Sequence, residues 1–123
     1  MTTSTNLLGE PLQVCGLDPV TGFHRDGCCR TGPEDRGSHT VCAVLSEAFL
    51  DYTASRGNDL STPRPETGFP GLRPGDRWCL CASRWLEADE AGCAPRIVAA
   101  ATDEAAIRLV PRDRLMKAAL DTH

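Results

Sequence analysis

Two long stretches rich in glycine, proline and aspartate limit where regular structure can form in this chain. The first covers residues 16–38, and the second is the segment NDLSTPRPETGFPGLRPGD at 58–76, which contains four prolines. Proline lacks a backbone N–H and breaks helices, so the second stretch cannot hold a long helix and is unsuited to a central strand. Structureless segments of this length are uncommon in a small domain and are usually functional or held in place. The sequence therefore predicts two long, ordered loops.

The rest of the chain shows helical and strand patterns in mixed order. Apolar residues at helical spacing predict one main amphipathic helix over about 40–56, with Ser38 or Thr40 capping its start and Gly57 following its end. Alternation and turn signals predict strands at 77–83 and 95–101 and a short edge strand at 10–15. Shorter helices are predicted at 85–92, from Thr102, and from Pro111 to about Leu120.

These elements predict an α+β fold in a single compact domain, 1–123, with a frayed segment at 1–6. It would contain a small sheet, one main amphipathic helix, two or three short helices and two long loops rich in Cys, Gly and Pro. The pairing of the strands stays open at this stage.

The charge of the chain and its N-terminal sequence indicate which partners and which cell compartment to expect. The net charge is −4 and the 13 basic residues are scattered, so we expect neither nucleic acid nor an anionic membrane as a partner. The start, MTTSTNLLGEPLQV, lacks the pattern of a secretory signal, which favours a cytoplasmic location. Because stable disulfides are uncommon in that compartment, seven cysteines favour metal binding, catalysis or burial.

The segment GFHRDGCCRTGPEDRGSHTVC, residues 22–42, holds three of the seven cysteines and two of the three histidines. Further along, Cys79 and Cys81 form a C-x-C pair whose side chains share one face of the predicted strand, with Trp78 and Leu80 on the other. None of these spacings matches a zinc finger, so a metal site would be assembled from distant segments. The candidate ligands are Cys28, Cys29, Cys42, Cys79, Cys81 and His39, and zinc is the metal that this donor set favours. The alternative is that the cysteines only pack in a core.

A second hypothesis is thiol chemistry. Cys42 falls in the first turn of the predicted helix, where the helix dipole lowers the pKa of a thiol, and His39 three residues earlier could act as a base. This pattern makes Cys42 and His39 the candidate catalytic residues of a thiol enzyme or redox protein.

A third hypothesis is a binding module for a small anionic ligand or a protein. The loops carry alternating arginines and aspartates, which either bind an anion or hold the loops together through ion pairs. The candidate ligand-binding residues are Arg25, Asp26, Asp59, Arg64, Asp76 and Arg77. The motifs of nucleotide-binding loops, zinc proteases and serine hydrolases are absent from the sequence.

Three stretches give the chain a specific resemblance to a known family: DPVTGFHRDGCCRTGPEDRGSHTVCAV, SRGNDLSTPRPETGFPGLRPGDRWCLCASRW and GCAPRIVAAAT. The chain resembles the bacterial family catalogued as domain of unknown function number 2237, from NLLGEPLQVC to RLMKAAL. The resemblance implies a small, soluble, cytoplasmic protein and no particular activity. It places the family's cysteines and its histidine at Cys15, Cys28, Cys29, Cys42, Cys79, Cys81 and His39. His24 and Cys93 depart from the pattern, which implies that His24 is not a ligand and that Cys93 is a packing residue.

Overall fold

The computed structural model describes residues 4–17, 20–35 and 37–121 and confirms the α+β class. The strands are β1, His39–Val44; β2, Arg77–Cys81; and β3, Arg96–Ile97. The helices are α1, Glu47–Ser55; α2, Ala82–Glu90; and α3, Arg112–Lys117. Short 3-10 turns lie at Pro65–Thr67, Ala99–Ala101 and Glu104–Arg108.

The three strands form one antiparallel sheet in the order β2-β1-β3, so β1 is central. Cys42 pairs with Cys79, and Val41 pairs with Leu80. The register then shifts, so that His39 pairs with Cys81 and Thr40 is an extra residue on β1. Such a bulge inverts the alternation of side chains beyond it. His39 therefore lies on the same face of the sheet as Cys42. Regular alternation would have placed His39 on the opposite face.

The two faces of the sheet carry different chemistry. One face is apolar and packs against the helices; its cluster includes Val41, Ala43, Trp78 and Leu80, together with Phe49 of α1 and Trp85 of α2. The other face carries a separate buried cluster of Cys15, Cys29, Cys42, Cys79 and Ala101. The prediction that Cys79 lies opposite Trp78 and Leu80 is confirmed.

The predicted helix over 40–56 is wrong for residues 40–45. Residues 39–44 form the central strand, and the helix begins only at Glu47 after Ser46, whose hydroxyl accepts the Phe49 backbone N–H. The apolar residues before Ser46 satisfy a strand pattern as well as a helical one, and pairing with two neighbouring strands decides between them. Gly57 follows the helix with φ of +85°, as predicted.

The other boundaries shift for similar local reasons. The strand predicted at 77–83 ends at Cys81, and α2 begins at Ala82 rather than at residue 85. The strand predicted at 95–101 is limited to residues 96–97 and is followed by a 3-10 turn, because three alanines offer no β-branched side chain. Asp103 rather than Thr102 caps the turn that follows.

The N-terminal segment is held to the 3-10 turn Ala99–Ala101 by single bonds instead of forming the predicted edge strand at 10–15. The Gln13 backbone N–H bonds to the Ala100 carbonyl, and Pro11 bridges Thr5. Asn6 is buried and its amide donates to the same Ala100 carbonyl, so the chain is anchored at that residue; residues 1–3 lie outside the described part. Among the helices described, none is both long enough and apolar enough to cross a membrane.

Candidate functional site

Four cysteines form two buried disulfides on one face of the sheet. Cys15 is bonded to Cys42, with their Cα atoms 5.6 Å apart, and Cys29 is bonded to Cys79, with their Cα atoms 5.2 Å apart. Each bridge joins a loop residue to a strand residue. The structure therefore corrects the expectation that these thiols stay reduced: Cys29, Cys42 and Cys79 carry no thiolate in this state. Cys15 belongs to the cluster, although it was not among the candidate ligands.

Two threonine hydroxyls accept backbone N–H groups of the strands beside the disulfides. The N–H of Cys79 donates to the Thr21 hydroxyl at 2.8 Å, and the N–H of Cys42 donates to the Thr102 hydroxyl at 3.1 Å. Both threonines are fully buried. The Thr21 bond ties the loop that carries Cys29 to β2, and the Sγ atoms of Cys15, Cys29 and Cys79 all lie within 4.8 Å of one another.

His39 is held by a buried carboxylate. Its Nδ1 lies 2.6 Å from Oδ1 of Asp35, whose side chain has no exposed surface. Oδ2 of the same carboxylate accepts the His39 backbone N–H at 2.8 Å and the Thr31 hydroxyl at 3.0 Å. Burial raises the pKa of the Asp35 carboxyl, but the hydrogen bonds and charge of His39 and the bond from Thr31 outweigh it, so the pKa lies below its usual value.

Cys81 faces this histidine across the sheet. Since paired residues of antiparallel strands project from the same face, the pairing of His39 with Cys81 brings their side chains together. A Cβ built on Gly37 would lie 2.9 Å from Cε1 of His39 and 3.4 Å from Sγ of Cys81, so the sum of these distances, about 6.3 Å, is the upper limit for the separation of the two atoms. Sγ also lies 3.0 Å from the Ser83 hydroxyl.

The position of Cys81 on its own element is also distinctive. It is the N-cap residue of α2, at the positive end of the helix dipole. Its thiol is free and half-buried, and 39% of the His39 side chain is exposed. Cys42, by contrast, lies in a strand and in a disulfide, so the predicted thiolate at a helix start is wrong for that residue. The position predicted for Cys42, a free thiol at the start of a helix, is occupied by Cys81.

The other two free cysteines lie in different surroundings. Cys28 is half-buried beside Asp26, and burial raises the pKa of its thiol, as does the charge of that carboxylate. Cys93 is half-buried at the margin of the apolar core, in the packing position that the family resemblance implies. Neither contacts the four-sulfur cluster.

The six residues predicted to bind a ligand make separate contacts in the loops and on β2. Arg25 stacks on Trp78, with 5.0 Å from its guanidinium carbon to the ring centroid, and Asp26 forms an ion pair with Arg30. The Asp59 carboxylate accepts hydrogen bonds from the Thr62 hydroxyl and from the backbone N–H groups of Ser61 and Thr62. These bonds, that from the hydroxyl first, lower the pKa of Asp59. The remaining three are distributed as follows: Asp76 accepts the Arg73 N–H, Arg64 bridges Phe69 through its backbone, and Arg77 is exposed at the start of β2.

A cleft of about 730 Å³ is lined by Asp35 and Ser38 and also by His24. Arg30 and Arg108 belong to the same lining, as does Asp103, whose pKa is raised because it is buried. Asp35 belongs to the loop arginines and aspartates for which the sequence left open loop-holding ion pairs and anion binding; a contact with His39 was not predicted. Asp35 stands four residues before His39, but only the conformation of the loop brings the two side chains together.

Comparison with known proteins gives a family and no activity. The family model described as "Uncharacterized protein conserved in bacteria (DUF2237)" matches residues 5–119. No curated protein matches the chain.

Proposed function

Since the chain belongs to this bacterial family, DUF2237, whose description names no activity, we propose from geometry that the protein is a thiol-dependent enzyme. Cys81 is the nucleophile, His39 is the base and Asp35 orients the histidine. The observation that carries the proposal is the pairing of His39 with Cys81 across the sheet while a fully buried carboxylate holds Nδ1 of the ring.

The arrangement supports proton transfer from the Cys81 thiol to His39. In this proposal the Nδ1–H of His39 donates a hydrogen bond to Asp35. The lone pair of Nε2 is then free to take the proton of the Cys81 thiol. The thiolate forms at the N-terminus of α2, where the helix dipole stabilises negative charge. Sγ then bonds to an electrophilic carbon of the substrate, and the proton on Nε2 passes to the leaving group. The half-buried thiol and partly exposed ring leave this reaction open to a molecule from solution.

Selective alkylation tests this proposal. In the oxidised chain only Cys28, Cys81 and Cys93 carry free thiols, so iodoacetamide labels these three and mass spectrometry measures each rate. We expect Cys81 to react about tenfold faster than Cys93, and His39→Gln to remove most of that advantage, because a positioned base assists proton loss by about this factor or more. His24→Gln is the matched control, because His24 is an exposed histidine of the same loop.

Two results would count against the thiol enzyme. One is a Cys81 rate equal to that of Cys93. The other is a fast Cys81 rate that His39→Gln leaves unchanged while circular dichroism shows both proteins folded.

A metal-holding role for a cytoplasmic form of the protein is a second candidate, and we propose it for a specific reason. Three buried sulfur atoms, from Cys15, Cys29 and Cys79, lie within 4.8 Å of one another, and thiolate sulfur is a preferred ligand of zinc. The two disulfides oppose this role in the oxidised chain. Zinc content measured by elemental analysis, on protein purified with reductant and without chelator, tests it directly.

A further inference from the structure

We infer that Cys15, Cys29, Cys42 and Cys79 form a tetrathiolate zinc site in the reduced chain, and that the two disulfides are the oxidised form of that site. This inference rests on the metal-holding role proposed above and adds the ligand set and its control by oxidation. Zinc and the disulfides would be alternative occupants of the same four sulfur atoms.

The placement of the four residues supports one shared centre. Cys42 and Cys79 are paired directly on adjacent strands and project from the same face, while Cys15 and Cys29 approach from the loops. Tetrahedral zinc with Zn–S bonds of about 2.3 Å needs sulfur atoms about 3.8 Å apart. Three of the four sulfurs already lie within 4.8 Å of one another, and the fourth, that of Cys42, is bonded to one of them. Breaking the two S–S bonds would therefore leave four thiols around one small volume.

The surroundings of the cluster match a closed structural site. All four residues are at most 2% exposed, and the other members of the cluster are Ala101 and the partly buried Val98. Structural zinc sites are four-coordinate and have no open position. The site would join two loop residues to two strand residues, and so it would hold the loop that carries Asp35 against the sheet in the absence of the disulfides.

The same observations remove three residues from the ligand set predicted from sequence. The Sγ of Cys81 contacts Ser83 and that of Cys28 lies outside the buried cluster, while Nδ1 of His39 is engaged by Asp35. They stay available for other chemistry when the metal is bound. The corrected set keeps Cys29, Cys42 and Cys79 and adds Cys15.

The exchange balances in atoms and electrons. Two dithiol molecules supply four electrons and four protons, which convert the two disulfides into four thiols. Binding of Zn²⁺ then releases four protons as the thiols become thiolates. In the reverse direction two molecules of hydrogen peroxide accept four electrons from the thiolates and become four hydroxide ions. The two disulfides form and Zn²⁺ leaves.

Metal titration of the full chain in both redox states tests the inference. Protein reduced with dithiothreitol and desalted without oxygen is titrated with Co²⁺, whose visible spectrum reports tetrahedral thiolate ligation, and then with Zn²⁺. We expect one metal ion per reduced chain, no binding by the oxidised chain, and release of zinc to a chromophoric chelator on addition of peroxide. Cys15→Ser and Cys42→Ser should each weaken binding at least about tenfold, whereas Cys28→Ser, Cys81→Ser and Cys93→Ser should leave it unchanged.

The outcomes separate this inference from the proposals on which it rests. No metal bound by the reduced chain would overturn both the metal-holding role and the ligand set. Binding that is lost in Cys81→Ser but survives Cys15→Ser would overturn the ligand set alone, and equal binding by the oxidised chain would overturn control by oxidation. Because a ligand variant can fail to fold, the Co²⁺ spectrum of the unsubstituted chain serves as a second reading: a spectrum without tetrahedral thiolate bands would also overturn the site. The alkylation rate of Cys81 in the oxidised chain tests the thiol enzyme independently.

Discussion

Gly37 lies close to the side chains of both His39 and Cys81. Its φ is outside the left-handed region, so alanine is compatible with the backbone, but the added Cβ would lie 2.9 Å from Cε1 of His39. We expect Gly37→Ala to displace the His39 ring. The alkylation rate of Cys81 should then fall toward the rate measured for Cys81 in the His39→Gln variant. Gly32→Ala is the matched control, because its Cβ would meet only Oε2 of Glu34 at 3.7 Å. Equal Cys81 rates in the two variants would contradict the proposed contact.

Asp35 gives the protein a defined sensitivity to acid. Its folded pKa lies below the unfolded value of about 3.9, so its contribution to stability is fully present above about pH 4 and is lost as the pH falls through the folded pKa. Asp35→Asn removes a buried, charged hydrogen-bond acceptor and should lower the free energy of unfolding at pH 7 by about 1–3 kcal/mol.

Urea unfolding of both proteins between pH 7 and pH 3 measures this effect. The difference between unsubstituted protein and Asp35→Asn should narrow as the pH falls below about 4. Asp51→Asn is the control, since Asp51 is exposed on α1 and its side chain forms no hydrogen bond with the described residues. A difference that stays constant across this range would show that the Asp35 carboxylate is not the source.

At the scale of single residues, the sequence predicted the participants better than their roles. Cys81 and His39 were both named as candidates, because cysteine and histidine are chemically distinctive wherever they stand. Their partnership depends on the extra residue Thr40 in β1, which turns His39 to the cysteine face. Nothing in the sequence specifies that bulge. The role of Asp35 likewise depends on loop conformation, which local propensity does not determine.

Among the secondary-structure elements, α1 shows why a boundary is harder to predict than an element. Val41, Val44, Leu45 and Phe49 fall at helical spacing, but the first two also suit a buried strand and are β-branched. The strand takes residues 39–44 because it pairs on both sides. Ser46 then separates strand from helix by capping α1. The α+β class was predictable, since it requires only that both patterns exist.

Removal of the Ser46 cap should destabilise α1 without changing a residue of either proposed site. Ser46→Ala deletes the hydroxyl that accepts the Phe49 N–H at 3.1 Å, and we expect the free energy of unfolding to fall by about 1 kcal/mol. Ser46→Asp keeps an acceptor at the same position and should retain most of the stability. Urea denaturation followed by circular dichroism measures both. A Ser46→Ala protein as stable as the unsubstituted one would mean that α1 does not depend on its cap.

For the molecule as a whole, the two faces of the sheet are stabilised by different means. The helical face buries large side chains such as Phe49, Trp85 and Ile97, as a small domain requires. The opposite face is covered by loops with few apolar side chains, so its closure depends on the sulfur cluster and on Thr21 and Thr102. The first long loop, 16–38, is therefore tied to the sheet by a cross-link through Cys29, whereas the second, 58–76, packs on the apolar core through Leu72. The sequence predicted that these loops are held, but cysteine spacing cannot identify pairs that lie in distant segments.

The two cross-links should contribute unequally to stability because they close loops of different length. Their sequence separations are 27 and 50 residues, for which the chain-entropy treatment gives about 3.5 and about 4 kcal/mol. We expect Cys15→Ala/Cys42→Ala and Cys29→Ala/Cys79→Ala each to lose a few kcal/mol in urea unfolding without reductant and with chelator. The second pair should lose slightly more. Since the closed loops overlap in residues 29–42, each bridge partly restrains the loop that the other closes, so losing both bridges should cost slightly more than the two separate losses added together.

Cys28→Ala and Cys93→Ala are the controls for this measurement, because both replace free, half-buried thiols. Reduction of the unsubstituted protein with chelator present should reproduce the loss seen when both bridges are removed, and adding zinc to that reduced sample should restore part of it if the four thiols bind the ion. Double variants as stable as the two controls would mean that the bridges do not hold the loops. The order of residues 20–35 would then depend on their own hydrogen bonds, of which the Asp35 carboxylate supplies three.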